Sequence, residues 1–206
     1  MRFLSFLILF LLTACATPLA TNEKKDSGNE PLLYITEVNP SKWTALTRQN
    51  LNHLLQVYHL TPLLFTKKVR IESKVIPTSH PVLTLNTRHA EEPFQLLSVF
   101  LHEQFHWWME LKSPEVSLAM DDLKQLFPEL PKEGVAKDRR STYLHLIICF
   151  LEYDSLIFYL GEKEANKILK DLTYQDKIYP WIYQQVDLHF KEIESIILKH
   201  HLRPEH

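Results

Sequence analysis

Residues 99–108 read Val-Phe-Leu-His-Glu-Gln-Phe-His-Trp-Trp, and this stretch constrains the chain more than any other. It holds no proline, no glycine and no charge except Glu103, which predicts a buried helix. In a helix, residues four apart lie one turn apart on the same face. His102 and His106 can therefore each turn one imidazole nitrogen toward a single ion. Glu103 can reach a water on the open side of that ion. Burying two imidazoles and a carboxylate is costly unless they are paired or ligate a metal. The competing account is a core helix whose histidines bond backbone carbonyls.

The pattern His102-Glu103-x-x-His106 with uncharged flanks resembles the zincin metallopeptidases. The resemblance covers this helix and, more loosely, a later one. It implies Zn2+ held by His102 and His106, with Glu103 as general base in peptide hydrolysis. Zincins with an elongated signature carry a third histidine six residues after the second, with a glycine midway. Lys112 and Met109 stand at those positions, so that branch is excluded. The resemblance then points to a glutamate on a separate helix as third ligand.

Such a helix is expected from about Ser141 to Leu160. Residues 144–151 are apolar on every side except His145, and Glu152 follows. Seven residues apart, His145 and Glu152 share nearly the same face, about two turns or ~10 Å from each other. Glu152 is assigned to the zinc. By the resemblance, His145 would stabilise the oxyanion of the tetrahedral intermediate, with Tyr143 as an alternative. The reverse assignment, His145 as ligand and Glu152 as its helper, stays open, as does a pair hydrogen-bonded in the core. Glu-ligated zincins often place an aspartate four residues after the glutamate to bond the first histidine. Leu156 stands there, and the acidic residue is Asp154.

The N-terminus reads as a targeting segment. Arg2 precedes an apolar run, Phe3 to Leu12, too short for a stable membrane span. Leu12-Thr13-Ala14-Cys15 resembles a bacterial lipobox. Residues 1–14 are expected to be a lipoprotein signal peptide, and Cys15 the lipidated first residue of the mature chain. Residue 16 is Ala rather than Asp, which by resemblance to enterobacterial sorting points to the outer membrane, facing the periplasm. With Cys15 lipidated, Cys149 has no disulfide partner and reads as a small buried hydrophobe. Residues 15–30 form the anchor and a polar tether, and 31–206 the zincin-like domain. A net charge of −2 gives no footprint for nucleic acid.

The fold expected is α+β: a mostly helical domain with a small antiparallel or mixed sheet beside the His-Glu-x-x-His helix. Strands are expected near 32–38, 64–72 and 82–87. By the resemblance, the last would be an edge strand that binds an extended peptide. One helix is expected over about 42–58 and another from about 178 to 200. Its aromatic cluster reads as packing, and the histidine-rich end as solvated. Two functions fit. One is a membrane-anchored zinc metalloendopeptidase acting on a peptide or protein substrate. The other is a non-catalytic envelope lipoprotein using the fold for binding or assembly.

Overall fold

The computed structural model describes residues 31–175 and 179–205. The expected signal peptide, the expected lipidation site Cys15 and the expected tether lie outside the described residues. The elements run β1 (Tyr34–Val38), α1 (Lys42–Val57), a 3-10 turn (Thr61–Leu63), β2 (Lys68–Glu72) and β3 (Leu83–Leu85). Helices follow: α2 (Pro93–Leu111), α3 (Ser113–Leu126), α4 (Arg139–Leu160), α5 (Glu162–Tyr174), α6 (Pro180–Leu188) and α7 (Phe190–Lys199). The result is a mostly helical α+β domain.

The sheet is parallel, not antiparallel or mixed as the sequence led us to expect. Its order is β1-β2-β3, with Tyr34 opposite Lys68 and Val69 opposite Leu83. The reason lies in the connections. Helix α1 carries the chain back between β1 and β2, the crossover a parallel pair requires. Residues 73–82 return the chain between β2 and β3, and on the way Thr78 runs antiparallel to Thr84. Strand β3 is the edge strand expected. Yet Thr84 donates its N–H to the Thr78 carbonyl (2.7 Å) and accepts from the Thr78 N–H (3.0 Å). The middle of that edge is thus filled by the chain itself.

Alternation in β2 and β3 sends Val69, Ile71, Leu83 and Leu85 into the core, against α1 and α2. Ser41 caps α1 in a reciprocal box with Thr44. Pro93 occupies the first turn of α2, where its missing N–H costs nothing. Gln104, fully buried on α2, accepts from the Phe65 and Thr66 N–H groups and donates to the Thr66 carbonyl, each at 2.9 Å. One side chain thereby satisfies three half-buried backbone groups and sets α2 against the approach to β2.

Helix α4 is long and apolar enough to cross a membrane, but most of its surface is buried among α2, α3, α5, α6 and α7. It is the central helix of the domain. The expected terminal helix is two helices, broken at His189. The break lets α6 follow α4 and α5 while α7 packs on α3 and α4. The histidine-rich end, expected to be solvated, is packed in part: His201 is exposed, but His200, Leu202 and Arg203 are anchored. Leu202 is buried, its carbonyl accepts from Trp108 Nε1 (2.7 Å), and Asp122 holds Lys199 and His200 (2.7 Å each). Arg203 bridges Asp154 (2.7 Å) and Glu194 (2.8 Å).

Candidate metal centre

The periodicity of α2 brings His102 and His106 to one side of the helix, with ring centroids 5.3 Å apart. Helix α4 crosses that side and contributes His145, whose ring lies 5.6 Å from His102 and 5.1 Å from His106. One nitrogen from each of the three rings falls within 4.8 Å of the others, close enough for one metal ion to touch all three. These residues can hold a metal.

The second nitrogens show how the rings are oriented. His145 Nδ1 donates to the Ser141 carbonyl (2.7 Å) one turn earlier. A carbonyl can only accept, so Nδ1 carries the proton and Nε2 keeps its lone pair free. His102 Nδ1 meets Glu152 Oε2 (2.9 Å), which leaves Nε2 of that ring as the free nitrogen. Imidazole ligands are characteristically held in this way by a carbonyl or carboxylate on the far nitrogen.

Glu152 is 1% exposed, and its carboxylate is heavily engaged. Ser98 Oγ donates to Oε1, while His102 and Tyr183 OH (3.0 Å) converge on Oε2. Glu152 also belongs to a second group able to take a metal, with His102 and Cys149, whose ligand atoms again lie within 4.8 Å. Cys149 is fully buried, and burial raises its thiol pKa. Asp154 is occupied by Arg203, so Glu152 is the carboxylate on the first histidine. Tyr143 is buried with its hydroxyl donating to the Phe127 carbonyl (2.6 Å), away from the cluster.

Glu103 is buried, borders a cleft of about 140 Å³, and has no hydrogen-bond partner among the described residues. Burial pushes its carboxyl above the usual carboxylate range; the His102 charge pulls it down and the Glu152 charge pushes it up. His102, Glu152, Tyr179 and Tyr183 also border this cleft. The Tyr179 ring lies 4.4 Å from His145 and 6.3 Å from His102. Sequence reasoning missed Ser98 and the two tyrosines. Ser98, four residues before His102, is a small polar residue on the ligand face and was the one legible signal. Gly134, at φ +76, lies so close to Trp181 that a Cβ would meet it at 3.0 Å, and its carbonyl accepts from the Trp181 N–H (3.0 Å). The 128–138 loop thus docks on the start of α6, next to Tyr179 and Tyr183.

Titration splits the three imidazoles. Burial lowers His106 to about 2 and His145 to about 4, with the charge on His102 adding to both. Burial also opposes charge on His102, but the hydrogen bonds its ring donates to Cys149 and Glu152 outweigh it and hold its pKa well above the usual value. In the metal-free protein, His106 and His145 bind protons in the unfolded chain before the folded one. Their contribution is complete above pH 6.5 and is lost as pH falls, that of His145 by about pH 4 and that of His106 on toward about 2. His102 does not offset this, because below 6.5 it is protonated in both states. Lowering His145 alone to about 4 corresponds to ~3 kcal/mol. Denaturant unfolding in the presence of a chelator should show a lower midpoint at pH 5 than at pH 7. The His145→Gln variant should show a smaller drop, and an identical drop in the two proteins refutes the assignment.

No protein-family model, curated protein or solved structure matches the chain. What the residues themselves define is an α+β protein with a metal-capable histidine cluster at the edge of a cleft.

Proposed function

We propose that the chain is a zinc-dependent metallopeptidase in which His102, His106 and His145 bind the metal and Glu103 is the general base. The observation that carries this is the contrast between the carboxylates. Glu152 is bound on both oxygens, while Glu103 is buried beside the imidazoles without a hydrogen-bond partner among the described residues. A structural site would have no use for Glu103. Three imidazoles, two of them (His102 and His145) held on the far nitrogen, suit zinc, and three protein ligands leave a position open.

Zinc, when bound, would polarise a peptide carbonyl and lower the pKa of a water. The protein's part is proton handling. Glu103 takes a proton from the attacking water and returns it to the leaving amine; burial raises its carboxyl above the usual carboxylate range, which makes it a stronger base than an exposed one. Glu152 fixes the tautomer and orientation of His102, and Ser98 and Tyr183 fix Glu152. With His145 spent as a ligand, Tyr179 is the hydroxyl group assigned to the developing oxyanion. Residues 1–15 support a lipid anchor in a bacterial envelope, by the lipobox pattern alone.

The test is hydrolysis of a mixed peptide pool by the zinc-loaded protein, followed by mass spectrometry. Cleavage that disappears with a chelator and returns with zinc supports the reading. A protein that takes up zinc yet cleaves nothing favours the binding lipoprotein instead.

A further inference from the structure

We propose that Arg88 forms an anion subsite of the cleft that holds a carboxylate of the substrate, an inference that rests on the peptidase reading. Arg88 lies in the turn between β3 and α2 and borders the same cleft as His102 and Glu103. The turn is braced on several sides. Asn86 donates to the Val75 carbonyl (3.0 Å) and accepts from the Arg88 N–H (3.1 Å). Thr87 Oγ1 donates to Ser73 Oγ (3.3 Å), and Asn50 donates to the Ala90 carbonyl (2.7 Å). The backbone of Arg88 is therefore held in place over the cleft.

Its guanidinium, by contrast, is exposed and has no ion-pair or hydrogen-bond partner among the described residues. Arg48 pairs with Glu37 (2.7 Å), Arg70 with Glu72 (2.6 Å) and Arg203 with two acids, while Arg140, also unpaired among the described residues, does not border the cleft. Beside it, His89 is tied to Glu92 (2.7 Å). Apolar Ile76, Pro77, Val99 and Leu172 make up much of the remaining wall. A carboxylate entering this cleft would be repelled by Glu103 unless a cation held it aside. Arg88 offers a planar fork that matches a carboxylate bidentately. The carboxylate is either an acidic side chain near the scissile bond or the free C-terminus of the peptide.

The experiment uses the full-length chain loaded with zinc and matched peptides: internal Glu against Gln, and free C-terminal acid against C-terminal amide. We expect tenfold or more higher kcat/KM for one carboxylate-bearing member, carried by KM, and the pair that shows it names the source. Arg88→Gln should bring that ratio close to one, and Arg88→Lys should restore part of it. Equal rates for acidic and neutral peptides, or an undiminished ratio in Arg88→Gln, overturn the subsite. Calorimetric binding of the same peptides to the metal-free chain and to its Arg88→Gln variant gives a second readout. If no peptide is cleaved but the carboxylate preference in binding depends on Arg88, the peptidase reading falls and the subsite stands; binding without that dependence removes the subsite as well.

Discussion

Glu103→Gln should keep the metal and lose ~10²–10⁴-fold in hydrolysis, the span that a positioned general base contributes, or ~3–5 kcal/mol of barrier. Glutamine keeps the shape and size of the side chain and removes only its basicity. Stability should move the other way. Glu103 is a buried carboxylate without a hydrogen-bond partner among the described residues, and its raised pKa means that ionising it costs folding free energy. A neutral amide relieves that cost, so the thermal midpoint should stay level or rise. Metal content, hydrolysis and thermal unfolding of the variant beside wild type check all three. Wild-type hydrolysis in Glu103→Gln would end its assignment as base.

Removing His145 should empty the metal site, and neutralising Glu152 should not. His145→Ala deletes one of three donors. Glu152→Gln leaves an oxygen that can still accept from His102 Nδ1, so the ring stays oriented while the charge is gone. Loss of such a supporting carboxylate typically weakens metal binding 10–100-fold. Alanine at 152 is the wrong probe. It leaves His102, Ser98 and Tyr183 without their common acceptor in a buried place, which costs about 3–5 kcal/mol and confounds folding with binding. Zinc titration of the purified variants decides. If Glu152→Gln abolishes binding and His145→Ala retains it, the ligand is Glu152 and our assignment reverses.

Some of this was legible from local periodicity. A four-residue spacing makes His102 and His106 neighbours in any helix, and a seven-residue spacing puts His145 and Glu152 on one face of α4. Which of the two reaches the metal depends on how α4 lies across α2, a long-range packing relation that neither helix's own sequence encodes. With ~10 Å between them along the axis, Glu152 meets the Nδ1 side of His102 while His145 joins the imidazole cluster. The same holds for Tyr179 and Tyr183. Within their own helix they read as packing aromatics, and only the docking of α6 brings them to the cleft.

The strands divide in the same way. The sequence marked strands near 64–72 and 82–87, and their alternation buries Val69, Ile71, Leu83 and Leu85 on one face. The direction of pairing was decided by α1 and by the return of residues 73–82, which together make every pair parallel and lay Thr78 over the edge at Thr84. The sequence by itself determined helices α1, α2 and α4 and the two histidines on one face of α2, because these follow from spacing along one element. The third imidazole of the cluster, the carboxylate that orients His102 and the walls of the cleft were decided only by tertiary packing, because each brings together groups from elements far apart in the chain.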